Sequence, residues 1–124
     1  MTPRDFRLAA LGLLLALGAG GATALASPPP SFRLTIHDHR FQPQTLSVPA
    51  GTRIRLKVHN ARRMPSEFES FSLNREKVVP GGTTIEVWIG PLSPGKYKFF
   101  DDFNTGVSGH IIVKAKTGGK AGAR

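Results

Sequence analysis

The chain has 124 residues and not one cysteine. That absence excludes disulfide staples, thiolate nucleophiles and any metal centre built on a thiolate. Acidic residues are also scarce, eight Asp and Glu against 17 Lys and Arg, for a formal charge of +9. No nucleophile elbow, zincin pattern, P-loop or internal repeat is present, so the sequence offers no catalytic constellation and reads as a non-enzyme. After the first 26 residues no apolar run is long enough to cross a bilayer.

What is present begins with an export signal. Arg4 and Arg7 precede the apolar run Leu8 to Leu17, and Ala24-Leu25-Ala26 has the small-x-small form of a cleavage site. Residues 1–26 are therefore expected to be a signal peptide cleaved after Ala26, releasing a periplasmic protein with no transmembrane segment. Residues 27–114 are long enough for one small domain. Residues 115–124, rich in glycine and lysine, are expected to be a disordered basic tail. For an exported chain the excess positive charge points to anionic lipid, acidic partners or cell-wall polymer and away from nucleic acid.

The body of the chain has the period of strands. Phe32, Leu34 and Ile36 alternate with Arg33, Thr35 and His37. Leu46 and Val48 repeat the pattern, and a Pro49-Ala50-Gly51 turn leads into Ile54, Leu56 and Val58, with Arg53, Arg55, Lys57 and His59 pointing outward. Residues 61–76 lose the alternation and read as a long loop, with room for one helical turn. Lys77 to Val79, Ile85 to Ile89, Tyr97 to Phe99 and His110 to Lys114 complete six or seven short strands separated by Gly/Pro turns. The expected fold class is all-β, a Greek-key β-sandwich.

In order, FQPQTLSVPAGTRIRLKVHN, GPLSPGKYKFF and GHIIV resemble the cupredoxin fold, in particular the periplasmic cupredoxin-like domains of the EfeO type, over residues 32–114. The resemblance implies a metal site at one end of the sandwich, and it also shows what has changed. Glu69 falls where the first histidine of a blue-copper member would be, Asp101 where cysteine would be, Asn104 at the second histidine and Val107 at the methionine. A type 1 copper site requires a thiolate, so none can form here.

Glu69 and Asp101, with Glu67 and Asp102 beside them, would instead bring up to four carboxylates to that end. Hard oxygen donors suit iron or copper(II). Glu69 and Asp101 are expected to converge in space, with Glu67 next and Asp102 last, because adjacent residues of an extended chain face opposite ways. The other reading keeps these residues structural, paired with Arg62, Arg63, Arg75 or Lys77, with Asp101 capping its loop. His37-Asp38-His39 is a rival pair with metal-binding spacing; His59 and His110 could join either group, and Met64 could add a soft ligand.

The resemblance implies a periplasmic protein that binds or relays iron or copper(II), accessory to metal uptake. Its partners would be the metal ion and a membrane metal permease or another periplasmic protein. The alternative is a metal-free sandwich that docks an acidic or membrane-embedded partner through its basic face.

Overall fold

The computed structural model describes residues 27–115. The expected signal peptide, residues 1–26, and nearly all of the expected basic tail, residues 115–124, lie outside the described residues. Nine strands form two sheets: β1 (Ser31–Ile36), β2 (Phe41–Gln42), β3 (Thr45–Pro49), β4 (Ile54–Asn60), β5 (Ser66–Ser70), β6 (Arg75–Val79), β7 (Thr84–Ile89), β8 (Gly95–Asp101) and β9 (Ser108–Lys114). One sheet has the order β2-β1-β4-β7 and the other β3-β9-β8-β5-β6. Strands β1 and β4 pair in parallel, as do β3 and β9, while the remaining pairs are antiparallel. No helix occurs among the described residues.

The alternation seen in the sequence sets which face is buried. Leu34, Ile36, Ile54, Leu56, Val58, Val87 and Ile89 from the first sheet meet Leu46, Val48, Phe68, Phe99, Ile111 and Val113 from the second. Three phenylalanines hold the middle: Phe41 meets Phe99 edge-on at 4.7 Å between ring centroids, and Phe68 lies 5.5 Å from Phe99. Truncating a ring in such a core to alanine typically costs about 3–5 kcal/mol. Gly109 on β9 is required by this packing, since a Cβ there would meet Gln44 O at 2.5 Å and Phe99 Cζ at 2.6 Å.

Two elements differ from the sequence reading: the two-residue β2, paired antiparallel to β1 where no strand is read, and β5. Ser66–Ser70, inside the stretch read as loop, is strand β5, paired on one side with β6 and on the other with β8. Phe68 is its single inward apolar residue; the inward positions on either side are the buried Ser66 and Ser70. With serine at those places the hydrophobic alternation vanishes although the geometric alternation persists. The β5–β6 connection is a tight turn whose last residue, Asn74, has φ of 56°, a conformation asparagine tolerates better than most residues.

Candidate metal centre

The four carboxylates expected to gather at one end are divided between two places. Phe68 is the register partner of Asp101 and Glu69 that of Phe100. Asp101 therefore shares the inward direction of Phe68, and Glu69 points to the outer face of the sheet. The expected convergence of Glu69 with Asp101 does not occur, because the strand period places them on opposite sides of one sheet.

Asp101 is completely buried at the end of the sandwich. Its Oδ1 accepts hydrogen bonds from the backbone N–H of Glu67 at 2.9 Å and of Phe103 at 3.0 Å. Its Oδ2 accepts no hydrogen bond from the described residues and lies 3.6 Å from Nη1 of Arg62. The same guanidinium donates from Nη1 to Ser66 Oγ at 2.8 Å and Pro65 O at 3.3 Å, and from Nε to Asp38 Oδ1 at 3.1 Å. Asn104 reaches across the same end, its amide donating to Asp38 O at 2.6 Å, while Val107 is buried and its backbone oxygen accepts from Asp101 N at 3.0 Å. In this surrounding no thiolate or imidazole is offered, and the one buried carboxylate is already engaged. These residues do not fit a type 1 copper ion.

Glu67 and Glu69 lie together on the outer face of β5, two residues apart. Glu76, the register partner of Glu69 on β6, joins them. One carboxylate oxygen from each of the three falls within 4.8 Å of the others. Glu67 is buried, Glu69 half-buried and Glu76 exposed. Desolvation pushes the Glu67 carboxyl up from the ordinary 4.5 to about 7, helped by a side-chain hydrogen bond with Glu76 and by the charges of Glu76, Glu69 and Asp102. Glu69 is raised as well, first by desolvation and then by Glu76 and Asp102. Beside the cluster a shallow depression of about 190 Å³ is lined by Glu69, Phe71, Asn74, Arg75 and Glu76. Three oxygens so placed can share protons or hold one hard cation.

Asp102 is exposed at the edge of this group and adds charge to it. Glu76 was missed because its place depends on the unrecognised β5–β6 hairpin; the one sequence signal was the pair of alternating acids, Glu67 and Glu69, followed by Asn74 as a turn residue. The histidines do not assemble. His37 Nε2 contacts Gln42 Oε1 at 3.1 Å, His39 is exposed, His59 Nδ1 contacts Thr84 Oγ1 at 2.8 Å on the outer face of the first sheet, and His110 lies on the outer face of the second. Met64 is exposed, and it is its backbone oxygen that is used, accepting from Asn60.

With this geometry in hand, comparison with known proteins is decisive about kinship. The model of the cupredoxin-like domain matches residues 7–113. The chain belongs to the cupredoxin-like domain family. An uncharacterized protein of Rickettsia prowazekii (strain Madrid E), RP394, is 46% identical over 82 residues, covering 65% of this chain and 66% of the relative. The iron uptake system component EfeO of Yersinia pseudotuberculosis serotype I (strain IP32953) is 31% identical over 116 residues, 89% of this chain but 30% of EfeO. The chain thus spans just under two thirds of one relative and less than a third of the other. Among solved structures, the metal-binding domain of the Cu(I)-exporting P-type ATPase CopA of Streptococcus pneumoniae D39 aligns with a TM-score of 0.64 at 13% identity, covering 73% of this chain and 91% of that one. A purple cupredoxin from Nitrosopumilus maritimus aligns at 0.54 and 18%, covering 66% and 98%. At these identities the structures speak for the cupredoxin fold alone. The family, together with the EfeO relative, suggests a metal-related role for this cupredoxin-like domain.

Proposed function

We propose that this cupredoxin-like domain is a periplasmic metal-handling accessory, and no enzyme, that takes iron or copper(II) on the outer face of its second sheet through Glu67, Glu69 and Glu76. The observation that carries the reading is the convergence of three carboxylate oxygens within 4.8 Å in a chain with few acidic residues. Packed acids of this kind repel, and a bound cation relieves the repulsion more fully than one shared proton. Likeness to EfeO, whose name places it in an iron uptake system, supports a role in delivering metal to an uptake partner such as a membrane permease. The leader-like first 26 residues support export.

Titration calorimetry with copper(II), and with iron(II) under nitrogen, tests this. One site per chain is expected, weakened roughly ten- to a hundredfold by Glu67→Gln or Glu69→Gln, a range seen even for residues that only support a ligand. Unchanged affinity in both variants would sink the proposal. Copper(II) should give only weak visible absorption, because the chain has no cysteine to supply thiolate charge transfer.

A second reading rests on the opposite face. Arg53 lies over the Trp88 ring at 4.4 Å and Arg55 at 5.7 Å, and Lys57 continues the stripe. This ordered basic patch suits docking to an acidic partner, a role that needs no metal. Metal analysis of the protein as purified separates the two.

A further inference from the structure

The end of the sandwich that holds the buried Asp101 carries a positive charge of its own. We propose that the guanidinium of Arg62 is a resident, tethered cation, holding the place where a hard divalent ion would otherwise be bound by Asp101, Asp38 and Ser66. Around that single group stand Asp38 Oδ1 at 3.1 Å, Ser66 Oγ at 2.8 Å, Pro65 O at 3.3 Å and Asp101 Oδ2 at 3.6 Å. An all-oxygen set with two carboxylates, one hydroxyl and one carbonyl is what a hard cation takes.

Two further observations point the same way. Asp101 Oδ2 is fully buried and accepts no hydrogen bond from the described residues, and the charge that faces it is the Arg62 guanidinium, whose side chain is itself only 11% exposed. The backbone of Arg62 is also fixed in advance. Buried Asn60 accepts from Arg62 N through Oδ1 at 2.8 Å and donates from Nδ2 to Met64 O and Val79 O at 2.8 and 2.9 Å, and Arg62 O accepts from Gly82 N at 3.1 Å. A cation anchored in this way competes at an effective concentration in the millimolar range or above. A metal ion must displace this anchored charge before it can reach the oxygens, so Arg62 opposes metal binding at this end.

The test uses the full chain carrying Glu67→Gln, Glu69→Gln and Glu76→Gln, which silences the outer face, and manganese(II) as the probe. In that background no manganese binding is expected by electron paramagnetic resonance. Adding Arg62→Gln should create one manganese site and raise the thermal midpoint by about 5 °C or more at about 1 mM metal. Arg62→Lys should keep the site closed, and Asp101→Asn placed on top of Arg62→Gln should abolish the gain. If Arg62→Gln does not fold by itself, recovery of structure on adding manganese supports the proposal, and failure to recover while Arg62→Lys folds overturns it. A folded Arg62→Gln chain that neither binds manganese nor gains stability from it also overturns the proposal. These outcomes are independent of whether the outer-face triad binds metal, because that triad is absent throughout.

Discussion

The two acid-bearing regions of this domain lie on opposite sides of one sheet and have opposite electrostatics. At the sandwich end a single carboxylate, Asp101, is buried but compensated by two backbone N–H groups and the Arg62 guanidinium. On the outer face three carboxylates crowd together, none of them in an ion pair with a cation of the described residues, and the most buried of them, Glu67, is pushed up to about 7. Burial alone does not decide what an acid does. A deeply buried carboxylate with its own cation is structure, whereas a shallower one among like charges holds a proton and has capacity for a cation.

The contrast breaks first at Asp101. Asp101→Ala removes the one oxygen that accepts from the backbone N–H groups of Glu67 and Phe103 and takes away the buried partner of Arg62, which keeps its pair with the exposed Asp38, so a loss of about 3–5 kcal/mol is expected. For a domain of this size that lowers the thermal midpoint by roughly 15 °C or more. Urea unfolding measures it, and a loss below about 0.5 kcal/mol, the scale of an ordinary surface change, would erase the distinction between the two regions.

Next in size is the pH response of the outer face. Folded Glu67 keeps its proton up to about pH 7, whereas its ordinary value is 4.5. Between those values the folded chain binds more protons than the unfolded chain, so stability falls as pH rises through that window and is lower at pH 8 than at pH 5. Glu67→Gln should flatten most of this slope, and saturating copper(II) should reduce it in the parent. Unfolding midpoints at several pH values report both effects, and a slope equally steep in the variant would move its origin to another group.

Smaller changes sharpen the boundary of the triad. Asp102, exposed at its margin, acts on Glu67 and Glu69 through charge, so Asp102→Asn should lower metal affinity less than either Glu67→Gln or Glu69→Gln in the same titration. The smallest effect belongs to the histidines. His37 is engaged with Gln42 and His39 is exposed, so replacing both by alanine should leave metal affinity within about twofold, worth less than 0.5 kcal/mol, as expected of a surface change away from the site. A large loss there would transfer the metal site to the β1–β2 end.

Read in order, the residues were enough to establish the class of fold and most of its strands. Leu34 and Ile36, Leu56 and Val58, and Val87 and Ile89 alternate in and out because one face of each sheet must leave water, and that requirement is written locally. The missing cysteine likewise settled the chemistry that the sandwich end cannot perform. Which carboxylates meet was another matter. Glu69 and Asp101 are separated by the register of β5 on β8, where an offset of one residue exchanges the faces, and Glu76 enters only through the β5–β6 pairing. Arg62 could be named from the sequence as one of four cations for these acids, but the set of oxygens around it could not, since they come from the β1–β2 loop, the start of β5 and the end of β8. Facing and charge balance arise from hydrogen-bonded pairing between distant segments, and no local pattern of residue types records that register.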